Sequence, residues 1–330
     1  MAAGVGAGRV GAFAALLVAG MMVAGEAAAQ SQYPEKPIRL IVPQAPGSAT
    51  DTLARLIIAE LAPIIGQTIV IENKPGAAFT IGLDLVAKSA PDGYTLGMAP
   101  VGAIAISPNM IAKVPYNVER DFQPVMLATR GHLLLAVSPK SPFHSVRDII
   151  ETAKRNPGKL TNASSASGSP GHVGAELFKV MTGTNIVHVP YRGGAAATSD
   201  LIAGHVDIMF ESLNSIAPHA KSGEVRALAV SGARRSPGFP ELPTVAEAGV
   251  PGYDAPTWSG VVGPAGMPRE IVMKLNTALN RVVTTPAFIQ RFGVIGDEPA
   301  GGTPEEFGAL ISKELAKWAD VIKRSGAKLE

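Results

Sequence analysis

The feature that most constrains this chain is a repeated alternation of β-branched runs with helix-spaced segments, joined by short loops of small residues. Ile38-Arg39-Leu40-Ile41-Val42 is a strand ended by Pro43, and Thr50 to Leu61 follows with Leu53, Ile57 and Leu61 on one helical stripe. The pattern then repeats as strand Thr68 to Glu72, helix Thr80 to Ser89, and strand Tyr94 to Met98 behind the Pro91-Asp92-Gly93 turn. Strand–helix pairs continue as His132 to Ser138 with Ser145 to Lys154, Leu160 to Ala163 with His172 to Thr182, and Ile186 to Val189 with Ala195 to Ala203. Val206 to Phe210 and Arg226 to Ser231 are further strands, Trp258 to Pro264 reads as another, and Arg269 to Val283 and Thr303 to Ser325 are helical. Short strand–helix–strand units imply an α/β fold of mostly parallel sheets flanked by helices. At least eight strands within about 200 residues exceed a comfortable open sheet, so two lobes are expected. The crossings between them are expected at Gln123 to Gly131 and in the Pro-rich return from Ser236 to Thr257.

Before this alternating region lies a segment of another kind. Arg9 precedes the uncharged run Val10 to Gly25, and Ala27-Ala28-Ala29 offers small residues at a peptidase site before Gln30. Residues 1–29 therefore read as a cleaved signal peptide, because the apolar run is short of the roughly 20 residues that span a bilayer. Gly6, Gly8 and Gly11 spell the dinucleotide fingerprint G-x-G-x-x-G, but no strand precedes them and they lie in this discarded segment. The uncharged stretch Gly93 to Ala112 matches a span in length. It is interrupted by Gly97, Pro100, Gly102 and Pro108, and reads as strand, loop and short helix.

Composition narrows the function. The 330 residues include no Cys, which removes disulfides, thiolate catalysis, cysteine metal sites and a lipid-modified N-terminal Cys. The formal net charge is only +2, and the cations are dispersed, with short pairs such as Arg234-Arg235 and Lys323-Arg324. No basic stripe is present for nucleic acid. The six His, at 132, 144, 172, 188, 205 and 219, are scattered without an H-x-x-x-H pair, so no metal site and no cofactor are expected.

In open α/β sheets ligands bind where strands end and helices begin. Five such junctions are small and Gly/Ser-rich: Pro46 to Asp51, Asn73 to Ala77, Ala99 to Gly102, Ser164 to Pro170, and Pro190 to Gly194. Small residues let backbone N–H groups reach an anion, and a helix N-terminus adds partial positive charge. Each junction also reads as a plain turn with a cap: Ser48 with Asp51 fits S-x-x-D, and Ser169-Pro170 fits an N-cap followed by Pro. Asp51 is ambiguous between a cap and an anchor for a water or an ammonium group. Tyr191, Tyr253, Trp258 and Phe79 flank the junctions as cleft or packing residues. Ser169 on a strand–turn–helix also admits a secreted hydrolase, although its motif is S-x-S-x-G and a triad with His172 or a more distant His is not readable from sequence.

These residues carry a resemblance. Pro34-x-Lys36-Pro37-Ile38-Arg39-Leu40-Ile41-Val42-Pro43, then Pro46-Gly47-x-x-x-Asp51-x-x-Ala54-Arg55, resembles the opening of the Bug family, the periplasmic substrate-binding proteins of tripartite tricarboxylate transporters. Matching blocks follow at Glu72 to Ala77, Ala90 to Leu96, Gly168-Ser169-Pro170-x-His172, His188 to Gly193, Arg226 to Val230, Pro243 to Gly249 and Lys274-Leu275-Asn276. The resemblance implies a two-lobed, type II-like periplasmic binding protein without enzymatic activity, with crossing strands between lobes that close on a small carboxylate. Lobe 1 would be residues 30–130 with 251–330, and lobe 2 residues 131–250. Carried over, the binding positions would be Gly47, Ser48, Ala49, Asp51, Gly76 and Ala77 on one side. Ser167, Gly168, Ser169, Pro170 and Tyr191 would face them. The resemblance further implies a soluble periplasmic monomer that serves membrane subunits of such a transporter; a sensor or scavenger without a transporter is the other binding role. Three departures touch the pocket: Gln44-Ala45 before Pro46, Ser48 where a second Gly is frequent, and Phe79 where a Gly is frequent.

Overall fold

A computed structural model describes residues 33–295 and 297–328; the expected signal peptide lies outside the described residues. The fold below is that of the compact unit that begins at Lys36. It contains a six-stranded sheet ordered β11-β4-β10-β3-β1-β2 and a five-stranded sheet ordered β7-β6-β8-β5-β9.

The first sheet comprises β1 (Ile38–Val42), β2 (Ile69–Asn73), β3 (Thr95–Pro100), β4 (Phe122–Gly131), β10 (Thr257–Pro264) and β11 (Glu298–Pro299). The second comprises β5 (Leu133–Val137), β6 (Thr161–Ser164), β7 (Val187–Pro190), β8 (Ile208–Ser212) and β9 (Arg226–Val230). Both sheets are mixed. Strand β1 runs parallel to β2 and β3, and β6 runs parallel to β7 and β8. Against these, β10 is antiparallel to β3 and β4, and β5 is antiparallel to β8 and β9. The parallel portions are the strand–helix–strand units read from sequence; the antiparallel strands are those that leave one sheet or return to it.

The segment expected as a crossing, residues 123–131, belongs to a ten-residue strand lying between β10 and β11. Its segment Val125 to Ala128 is buried without alternation, as a strand covered on both faces must be. The chain then passes to the second sheet through Gly131 and His132. A β-carbon at Gly131 would collide with the Asp297 carboxylate and the Thr257 hydroxyl, so a larger residue at this passage would have to displace both side chains.

Local chemistry sets the helices that point at the cleft. Helix α1 (Ala49–Ile65) starts at Ser48, whose Oγ accepts from Asp51 N at 3.2 Å, and buries Leu53, Ala54, Ile57 and Leu61. Gly66 ends it in the left-handed region, at φ 74°, with its N–H donating to Ala62 O. Helix α2 (Thr80–Ala87) follows β2, and α3 (Val146–Arg155) carries a capping box of Ser145 and Asp148. In the second sheet α4 (Pro170–Thr182), α5 (Gly194–Ala203) and α6 (Leu213–Lys221) follow β6, β7 and β8. The C-terminal part supplies α7 (Arg269–Val283), α8 (Pro286–Ile295) and α9 (Pro304–Ser325).

One apolar core joins the sheets: Ile41 and Leu83 belong to the same cluster as Leu135, Phe210, Tyr253 and Trp318. Helix α9 packs against both β4 and α4 and bridges the two sheets. Strand β5 serves two cores by its period of two, sending Leu133, Leu135 and Val137 into this cluster and Leu134 and Ala136 into a second one with Met209 and Leu213.

Candidate functional site

Between the sheets lies a cleft of about 660 Å³, within the range of small-molecule sites. The first turns of four helices open on it. Helix α1 contributes Ala49 and Thr50, α4 contributes Pro170, α5 contributes Gly194, and α6 contributes Asn214 and Ser215. The first N–H groups of a helix have no intrahelical partner and carry partial positive charge, so four helix starts around one cavity make a seat for an anion.

The β1–α1 loop is held by Asp51. Its Oδ2 accepts from Gly47 N at 2.9 Å and from Arg55 Nε at 2.9 Å, while Oδ1 accepts from Asn73 Nδ2 at 2.9 Å. Arg55 above all, with the Gly47 and Asn73 donors, holds the Asp51 carboxyl down at about 2 despite its burial. Its acceptor positions are filled from within the protein, so its role in the fold is to shape the Gly47 turn.

The β6–α4 loop rests on two histidines. Gly168 N donates to His172 Nδ1 at 3.0 Å, and Ser164 Oγ lies 2.7 Å from His188 Nε2. Ser169 caps α4, its Oγ accepting from His172 N at 3.3 Å. A β-carbon at Gly171 would run into the carbonyl oxygen of Phe210, so glycine there lets α4 start directly over the end of β8. Next to it, Gly193 N donates to Ser165 O at 2.9 Å, which ties the start of α5 to the same loop.

Of the positions expected from sequence, Gly47, Ala49, Ser167, Gly168, Ser169 and Pro170 line the cleft, and Ser48 caps the helix beside it. Asp51, Gly76, Ala77 and Tyr191 lie outside the lining: Tyr191 OH donates to Asp200 Oδ2 at 2.6 Å. In place of Gly76 and Ala77 the loop presents Ala78 and Phe79. Three successive non-glycine residues there, Ala77, Ala78 and Phe79, have positive φ of 45°, 48° and 77°. This turns the Phe79 ring toward Gly102 at the cleft wall.

Sequence reasoning missed Ser107, Glu211 and Ser259, whereas Gln44 was expected at the pocket. Gln44 Oε1, Ser107 Oγ, Glu211 Oε2 and Ser259 Oγ are buried at lining residues without a hydrogen-bond partner in the protein. Trp258, expected as a cleft residue, lines it with Nε1 in the same condition. Buried polar atoms ordinarily have partners, so their concentration here marks a surface built for a polar guest. Two acids share the wall: burial pushes Glu211 up to about 7 and, with help from neighbouring Glu298, Asp297 up to about 7. Among the described residues, no Lys, Arg or His lines the cleft, and no group of His, Asp and Glu is arranged to hold a metal ion.

Comparison with known proteins agrees with this geometry. Residues 53–327 match the family described as tripartite tricarboxylate transporter family receptor. BugT of Bordetella pertussis is 37% identical over 299 residues, covering 90% of this chain and 92% of its own. The structure of R. palustris Rpa4515 with adipate superposes with a TM-score of 0.80 at 39% identity, covering 90% of this chain and all of the other. MatC (Rpa3494) from Rhodopseudomonas palustris with bound malate gives 0.77 at 31% identity, over 88% of this chain and all of the other. The chain belongs to the family of tripartite tricarboxylate transporter receptors, the two-lobed binding proteins that include the Bug proteins.

Proposed function

We propose that this protein captures a small carboxylate in the cleft between its sheets, without chemical turnover, and delivers it to membrane subunits of a tripartite tricarboxylate-type transporter. The observation that carries the reading is the convergence of four helix N-termini and unpartnered polar groups on one cavity whose described lining contains no cation. Relatives with bound adipate and malate support the ligand class. In this reading Gly47, Ser48 and Ala49 meet the carboxylate from one lobe, and Ser167, Gly168, Ser169 and Pro170 from the other. Asp51, Gly76, Ala77 and Tyr191 hold the loops in place. The lobes are residues 30–130 with 251–330, and 131–250; the protein acts as a monomer in the periplasm after removal of residues 1–29.

The hydroxyl of Ser169 is engaged as a helix cap and His172 Nδ1 accepts from Gly168, an arrangement that serves loop shape and not nucleophile activation. Mass spectrometry of molecules released on denaturing the purified protein, followed by thermal shift with the acids found, tests the reading. A bound carboxylate at 100 times its Kd stabilises by about 2.7 kcal/mol, and Ser169→Trp, which fills the cleft, abolishes that gain. Ester or amide turnover, or binding unaffected by Ser169→Trp, overturns it.

A further inference from the structure

Glu211 is the penultimate residue of β8, after the apolar Ile208, Met209 and Phe210. It is 6% exposed and lines the cleft. Oε1 accepts from Ser212 N at 2.9 Å, whereas Oε2 is buried with no hydrogen-bond partner in the protein. The start of α5 stands against it: a β-carbon on Gly194 would lie 3.4 Å from Oε2.

The other buried acids show how unusual this is. Asp51, Glu176 and Glu314 are each at most 3% exposed, and they pair with Arg55, Lys179 and Lys317 respectively. Glu211 has no such cation among the described residues, and neither has Asp297 on the same wall. A carboxyl kept buried with an acceptor unfilled is costly, and its neighbours are arranged around the cavity and not around an internal partner. The polarity of the wall is also uneven. The starts of α1 and α4 favour an anionic group, while Glu211, beside the starts of α5 and α6, and Asp297 add carboxyl groups to the same wall. A second carboxylate placed against that acidic part would meet like charge whenever Glu211 or Asp297 is ionised, with no lining Lys, Arg or His among the described residues to offset it.

We propose that Glu211 sets the ligand class: the cleft takes a monocarboxylate that also carries an ammonium or hydroxyl group, which donates to Glu211 Oε2. The inference rests on the carboxylate-binding reading above and sharpens it from an acid to an amino or hydroxy acid. A chain shorter or longer than the seat-to-Glu211 distance leaves the donor misplaced, so the selectivity belongs to one length.

Calorimetric titration of the purified protein at neutral pH tests it with unbranched acids of three to six carbons. At each length the set contains the plain monocarboxylate, the dicarboxylate, and the acids bearing an amino or a hydroxyl group on the α or the terminal carbon. At one length an amino or hydroxy acid should bind at least about ten-fold tighter, about 1.4 kcal/mol, than the monocarboxylate and the dicarboxylate of that length. Glu211→Gln, whose amide can present a donor of its own, should erase that preference and improve the dicarboxylate, while Glu211→Asp retains the ranking with weaker binding. A wild-type preference for the dicarboxylate, or an unchanged ranking in Glu211→Gln, overturns the inference and leaves carboxylate capture standing. Failure of every acid in the set to bind defeats both. If Glu211→Gln does not fold, the wild-type ranking decides alone.

Discussion

The imidazole rings of His172 and His188 stack with centroids 3.7 Å apart and planes 7° from parallel. One ring takes the N–H of Gly168 and the other meets the hydroxyl of Ser164, so the pair underlies the loop that presents Ser167 to the cleft. Burial first, then His188 and Lys179, push His172 down to about 3; burial and Lys179 push His188 down to about 4. Below about pH 6.5 the unfolded chain binds protons that the folded rings refuse. Their contribution to stability is therefore complete above about pH 6.5 and is lost as pH falls toward 4 and then 3. Glu211 and Asp297, raised to about 7, act in the opposite sense as pH falls below that value. The clean comparison is thus with His172→Gln/His188→Gln, whose melting temperature should fall less steeply from pH 6.5 to 4 than that of the wild type. Parallel curves would refute the assignment.

Capping serines should show as stability, separately from binding. Ser48 and Ser169 each accept from the backbone N–H three residues on, and losing such a cap costs about 1 kcal/mol. Ser48→Ala and Ser169→Ala should each lower the melting temperature of the unliganded protein by about 2–4 °C. Ser167→Ala removes no cap and should leave it within about 1 °C. Differential scanning calorimetry distinguishes these.

Asp51 should behave as a scaffold. Asp51→Asn keeps the shape but loses the charge-assisted bonds to Gly47 and Arg55, an expected cost of about 1.5–3 kcal/mol by denaturant unfolding. Because Gly47 is then free to move, ligand affinity should fall as well. Full stability in Asp51→Asn would show that the carboxylate is not needed for the turn.

The run Ala77-Ala78-Phe79 holds three side-chain-bearing residues in the left-handed region, which costs roughly 1–2 kcal/mol for each. Ala78→Gly removes one such penalty at an entropic cost of about 0.5–1 kcal/mol, so the net effect should be stabilisation of up to about 1 kcal/mol. Phe79→Gly would relieve strain at the next position but also remove the ring from the cleft wall. It should raise stability less and alter which acids bind. Melting and titration of the two variants separate strain from contact.

Much of the fold was readable because its signals are local. The run Ile38 to Val42, the stripe Leu53-Ile57-Leu61 and the caps Ser48 and Ser169 each specify an element within a few residues, and the elements formed. Strand direction was not readable: whether Val261 pairs antiparallel with Met98 depends on residues more than 160 positions apart. Strand β4 escaped because it opens on Gln123-Pro124 and its buried run lacks alternation. At the site, the loops were legible from their small residues. Glu211 was not, because an acid ending an apolar strand looks like the first residue of a turn until the fold buries it. Phe79 was visible as an aromatic beside a junction and as a departure from the pattern, but its inward position follows from backbone angles that alanines do not announce.

The placement of β10 between β3 and β4 has a consequence for how the molecule assembles. Every strand of the second sheet falls within residues 133–230, so that half is complete as one continuous stretch of chain. The other sheet stays divided into β2-β1-β3 and the edge of β4 until Thr257 to Pro264 arrives to pair with both. Joining segments so distant in sequence is slow, and both flanking strands remain open-edged and sticky while they wait. The second half should therefore acquire its structure first, and a chain interrupted before β10 would be left with one finished sheet and one unfinished, aggregation-prone one.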